Sequence, residues 1–213
     1  MRTIFQNCTL LDGTEQMSPR PGTDVAIEND KIVQIGKITP NKGDRVVDLT
    51  GKYLMPGLIN LHVHLPAGGK PRNKPMNTNR LTKIALSSGL SRALVLRMCH
   101  AYVMQGLLSG VTTVRAVGGL DDLDTRLRDR IHAGKLDGPR ILAANYAIGV
   151  PHGHMVGSVT HPAEIVEDAV RMVDQLHGQN VDLIKLMITG GVMDAKVLSL
   201  IHISEPTRPL YIS

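Results

Sequence analysis

The sequence predicts an α/β fold in two parts, and three observations predict it. Up to about residue 50 the chain offers only short strand-like runs, at 2–11, 24–28, 31–36 and 45–49, with Glu28-Asn29-Asp30-Lys31 as a hairpin turn. Beyond that point strand and helix alternate, the pattern of a parallel sheet with crossover helices. The chain is also rich in breakers, 21 Gly and 12 Pro, as many short connections require.

The early runs define a small all-β unit over residues 1–50. In the second part strands are expected at 58–64, 112–117, 140–148 and 183–188. Helices are expected at 81–108, broken around Ser87-Ser88-Gly89, and at 121–133 and 162–176. Asp121 and Asp122 open the middle helix and Gly134 closes it, while Pro162 suits the first turn of the last.

Composition narrows the function. The chain is 42% hydrophobic and 20% charged, which fits a globular protein. One Phe, four Tyr and no Trp argue against stacking on bases or sugars. The net charge of +5 is dispersed among acids, so neither nucleic acid nor membrane is an expected partner. The exception is Lys70, Arg72, Lys74, Arg80 and Lys83, which make either a solvated loop or a surface that draws in a substrate carboxylate. Two cysteines, Cys8 and Cys99, suggest a reducing compartment. The N-terminus lacks the apolar core of a signal peptide, and no apolar run approaches membrane-spanning length, so the cytoplasm is the expected location.

Chemistry is concentrated at Leu58-Ile59-Asn60-Leu61-His62-Val63-His64, directly after the breaker Met55-Pro56-Gly57. Side chains at i and i+2 of a strand face the same way about 7 Å apart, so His62 and His64 can converge on one metal ion. A strand whose polar face happens to carry two histidines is the competing reading. The pair closes an apolar strand and precedes a long Gly/Pro/Asn loop, the place where barrel enzymes keep their sites.

The stretch from Asp48 through His64 resembles the entry to the barrel of amidohydrolase-superfamily metal hydrolases, nearest the Xaa-Pro dipeptidase and imidazolonepropionase-like branch. Three further blocks occur in family order: Gly110-Val111-Thr112-Thr113-Val114-Arg115, Gly138-Pro139-Arg140-Ile141-Leu142-Ala143, and Asp182-Leu183-Ile184-Lys185-Leu186-Met187-Ile188-Thr189-Gly190-Gly191. The resemblance implies the N-terminal half of a (β/α)8 TIM-type barrel over residues 51–197, preceded by a small β-sandwich-like domain. Residues 198–213 resemble a translated sequencing adapter and are expected to be a non-native tail, the whole being an N-terminal fragment that is inactive alone.

Lys185 sits in the apolar run Val181–Ile188, where desolvation disfavours its ammonium form. The resemblance implies that its amine takes up CO2 to give a carbamate bridging two metal ions; a strand-end lysine reaching solvent is the alternative. In the Gly/Pro-rich His152-Gly153-His154, His154 is similar to the family's substrate-side histidine. Arg115 and Asn145 are further candidates to face the pocket, whereas His100, His132, His161 and His177 are expected to play ordinary surface or core roles.

With His62, His64 and Lys185 as metal ligands, the resemblance implies one or two zinc or other divalent ions, hydrolysis of an amide or dipeptide-type C–N bond, and a small-molecule or dipeptide-like substrate. The proton-shuttle aspartate is expected beyond the fragment, and a homo-oligomer stays open for the full-length parent. A ring hydrolase or deaminase, or a non-catalytic half-barrel with a vestigial metal site, are the alternatives.

Overall fold

The computed structural model describes residues 1–69 and 78–188. Lys70, Arg72 and Lys74 of the basic stretch, Thr189-Gly190-Gly191 and the expected tail at 198–213 lie outside these residues. The chain divides into two compact units between Gly57 and Leu58. Among the described residues no helix is long and apolar enough to cross a membrane.

The first unit contains β1 (Thr3–Leu10), β2 (Arg20–Glu28), β3 (Lys31–Gly36), β4 (Arg45–Asp48) and β5 (Tyr53–Leu54). β1 pairs antiparallel with β2 and parallel with β4 and β5, and β2 pairs antiparallel with β3. At the β2–β3 hairpin Asn29 and Asp30 adopt φ of 48° and 63°, the doubly left-handed turn that matches strand twist. A sandwich needs two sheets, and the described strands of this unit form one. The expectation of a sandwich-like domain is corrected accordingly. β5 escaped the sequence reading because a two-residue strand has no periodicity to read.

An internal carboxylate ties this sheet together. Asp24 is buried and accepts hydrogen bonds from the backbone N–H of Asn7 (2.9 Å) and of Ile38 (2.9 Å). Burial works against its charge, yet those two N–H groups and Lys37 hold its carboxyl below the usual range. Asn7 stands at φ 60° where the β1–β2 register slips, so Asp24 satisfies a donor that the ladder leaves over.

The second unit runs β6 (Leu58–Val63), α1 (Thr78–Leu86), α2 (Gly89–Leu108), β7 (Val111–Ala116), α3 (Leu123–His132), β8 (Arg140–Ala143), β9 (Ala147–Gly149), β10 (Thr160–Pro162), α4 (Val166–Gly178) and β11 (Leu186–Met187). The expected helix break is real. Ser88 and Ser91 form a reciprocal capping box that starts α2 afresh after Leu86.

The expected strand over 140–148 is two strands, because Asn145 takes φ 58° and interrupts the extended backbone. β8 pairs with β7, and β9 with β11, so parallel pairing passes from β6 through β7 and the β8–β9 segment to β11. The last helix begins at Val166 rather than Pro162, because Pro162 is paired to Gly149 in β10. The main core lies between β7, β8 and the helices α2 and α3, around Leu96, Cys99, Val114, Leu123, Leu127 and Ile141. A smaller cluster of Tyr146, Ile148 and Leu176 seats α4 against β9. Cys8 and Cys99 are both buried and free.

Candidate metal centre

His62 is the penultimate residue of β6 and His64 follows its end. Their rings stand edge to face with centroids 5.4 Å apart, so both imidazoles project to one side of the strand end. The extended backbone that produces this is irregular just before it. Asn60 pairs with Val114 and Val63 with Ala116, leaving Leu61 and His62 opposite Arg115 alone, which is a β-bulge.

Side chains satisfy the groups that the bulge displaces. Asn60 Oδ1 accepts from the N–H of His62 (3.1 Å), and Arg115 Nε donates to the carbonyl of Leu61 (2.7 Å). Arg115 therefore braces the strand that carries the histidines.

Val117 N–H donates to Val63 O (3.0 Å), which extends the pairing by one residue and brings the Gly118 carbonyl beside His64. That carbonyl accepts from Nδ1 of His64 at 2.8 Å. A carbonyl can only accept, so Nδ1 carries a proton, and in the neutral ring Nε2 is the nitrogen with the lone pair. Gly118 itself has φ +136°, and a Cβ there would come within 3.2 Å of the His64 ring. Glycine is needed on both counts. The sequence signal was the Gly118-Gly119 pair after a strand, which reads as a close backbone approach.

Lys185 lies just before β11, half-buried, with its carbonyl accepting from Ile148 N–H (2.9 Å). His62 is held below the ordinary imidazole value by desolvation first, then by His64, Lys185 and Arg115. His62 lies on the first strand of the parallel set and Lys185 directly precedes the last, yet the charge of Lys185 contributes to the lowering at His62.

His154 occupies the turn after β9, half-buried. Among the described residues no three His, Cys, Asp or Glu side chains gather closely enough to hold an ion, so His154 does not join His62 and His64 in such a group. Asn145 is fully buried and bonded to Thr125 and Gln179, so it does not face a pocket. The remaining histidines have ordinary settings: His100 bonds the carbonyl of Asp137 (2.8 Å), and His161 stacks on Tyr146 with centroids 4.1 Å apart. His132 and His177 are exposed on helices.

The donor set suits a zinc-type ion. Two imidazoles at one strand end, one with its Nδ1 committed to a backbone carbonyl, are the arrangement by which proteins orient metal-ligating histidines.

Known proteins share this architecture. A solved Xaa-Pro dipeptidase with bound methionine in its active site superposes with a TM-score of 0.69 and 25% identity, covering 91% of this chain and 48% of that one. A solved amidohydrolase superposes with a TM-score of 0.74 and 26% identity, covering 90% and 48%. A 5-methylthioadenosine/S-adenosylhomocysteine deaminase of Thermoanaerobacter pseudethanolicus is 44% identical over 66 residues, 30% of this chain and 15% of its own. The chain spans about half the length of the two solved relatives. The model of the amidohydrolase family matches residues 53–197, more than half of the sequence, and the chain belongs to that family.

Proposed function

We propose that the protein is a metal-dependent hydrolase of C–N bonds, amide or dipeptide in type. One observation carries the reading: two imidazoles share the end of β6, and the tautomer of His64 is set by Gly118 so that Nε2 is left for a ligand. The parallel strands with crossover helices are read as the first half of a (β/α)8 barrel, whose reactive residues sit where strands end. Residues 1–50 are read as part of a separate β domain.

His62 and His64 would hold one divalent ion, and Lys185, as a carbamate, would join them or bridge to a second. Carboxylation needs a neutral amine, whose lone pair adds to the carbon of CO2 while the nitrogen loses a proton. When bound, the ion supplies Lewis acidity, lowering the pKa of water toward neutrality and polarising the scissile carbonyl. Gly118 keeps the His64 ring from turning, and Arg115 with Asn60 keeps the bulge that aims His62. His154, in the turn after β9, is assigned to the substrate side. The substrate is a small molecule of dipeptide type, in line with the Xaa-Pro dipeptidase likeness.

A second reading is deamination of a nitrogen heterocycle, favoured by the 44% identical stretch of the deaminase. Two measurements separate these. Zinc titration should show tight binding that His62→Ala or His64→Ala removes. With zinc bound, release of an amino acid from Xaa-Pro dipeptides supports the first reading, and release of ammonia from adenine nucleosides supports the second. In the full-length parent, bound zinc with neither product would leave a vestigial site, and no zinc binding would refute the proposal.

A further inference from the structure

The geometry points to Asn145 as a positioning residue for His64, acting through the Gly118-Gly119 turn. The inference rests on reading His64 as a ligand, and its test separates the two. Asn145 is fully buried at the interruption between β8 and β9, in the left-handed region at φ 58°. Its backbone carbonyl accepts from the N–H of Gly119 at 2.6 Å. One residue earlier, the Gly118 carbonyl accepts from His64 Nδ1.

The side chain of Asn145 fixes that carbonyl in place. Its Oδ1 accepts from the backbone N–H of Thr125 (3.0 Å), and its Nδ2 donates to Thr125 Oγ1 (3.1 Å) and Gln179 Oε1 (2.8 Å). A backbone N–H can only donate, so the carboxamide has one orientation and both of its N–H hydrogens are used. Thr125 lies in the first turn of α3, and Gln179 caps α4. Asn145 is therefore anchored to two helices by its side chain and to the histidine-bearing loop by its backbone.

The first turn of α3 also presses on that loop directly. A Cβ on Gly119 would overlap the carboxyl of Asp124, so backbone and helix are in close contact there. Gly119 is thus held on one side by Asp124 and on the other by the Asn145 carbonyl. A core asparagine that merely filled the strand break would have no bearing on His64. This one is two hydrogen bonds from its ring nitrogen, and each link is a backbone group with no freedom to reorient alone.

The test uses the full chain and Asn145→Gly, which keeps the positive φ and the carbonyl but removes all three side-chain hydrogen bonds. Nitrogen NMR of the imidazoles at about pH 8.5, where free histidines are neutral, reads the tautomers. The wild type should show His64 as the Nδ1–H form, and Asn145→Gly should mix the two forms while His161 and His152 stay as they were. Zinc affinity should fall about 10- to 100-fold, the range for lost support behind a ligand. Gln179→Ala removes one of the three bonds and should give the same changes a few-fold in size; it decides the matter if Asn145→Gly does not fold. A folded Asn145→Gly with lowered melting temperature but unchanged His64 tautomer and zinc affinity would overturn the inference, as would a wild-type His64 in the Nε2–H form. A tautomer shift in a chain that never binds zinc would uphold the positioning role and refute the metal reading instead.

Discussion

The chain contains His-x-His twice, and the two copies have different fates. His62-Val63-His64 ends a strand, so its rings share one side with centroids 5.4 Å apart. His152-Gly153-His154 lies in a turn, with His152 at φ 59° and the N–H of Gly153 bonded back to Val150 O at 2.9 Å. In the first copy the intervening Val63 packs toward the core while the histidines point away from it; in the second it is the glycine that is buried. The same spacing therefore offers two nitrogens to one point only where the backbone is extended. What surrounds the spacing, a bulge before it and a carbonyl behind it, decides whether it can serve a metal.

The largest expected difference is in zinc affinity. His62→Ala or His64→Ala should each weaken binding by at least about 100-fold, measured by competition with a chelator, whereas His152→Ala and His154→Ala should change it by less than about threefold. His154→Ala should instead raise KM if substrate passes that turn. Equal losses at the two motifs would erase the distinction.

The glycines sharpen it next. Gly118→Ala places a Cβ at 3.2 Å from the His64 ring on backbone at φ +136°, and should cost about 10- to 100-fold in zinc affinity together with stability. Gly153→Ala meets Val150 Cγ2 at 2.8 Å and its carbonyl at 2.9 Å, so it should lower the melting temperature and leave zinc affinity alone.

The support behind the first motif also has a pH signature. Burial pushes the Asp124 carboxyl up to about 7, and its Oδ2 has no hydrogen-bond partner among the described residues. The folded state holds this proton where the unfolded chain has released it. The resulting stability is complete below the ordinary carboxylate value, declines by up to about 1.4 kcal/mol per pH unit, and is lost as pH rises through about 7. Asp124→Asn should flatten that decline in urea titrations between about pH 4 and 8. An unchanged slope would show that the carboxyl is not the source.

The smallest effect belongs to the bulge. Arg115→Gln removes the donor to Leu61 O and should weaken zinc binding about fivefold, in line with about 1 kcal/mol for one net hydrogen bond. No change would mean that His62 is aimed without it.

Much of this was legible in the sequence, and the reasons for the rest are physical. The apolar run before His62, the Ser88 cap and the Asn29-Asp30 turn are local signals, fixed by residues within one element. Asn145 and Gly118 take their roles from partners far along the chain: Gln179 and His64. Nothing in their immediate neighbours announces those partners. Pro162 illustrates the competing case, since a proline suits the first turn of a helix and an edge strand alike, and pairing with Gly149 decided it.

The most direct measurement is an imidazole NMR titration of the full chain with zinc, following all the histidines at once. The His62 and His64 signals should move together up to about one equivalent of zinc, with His152 and His154 unmoved over that range. Movement of His152 and His154 first, or of none of the four, would contradict it.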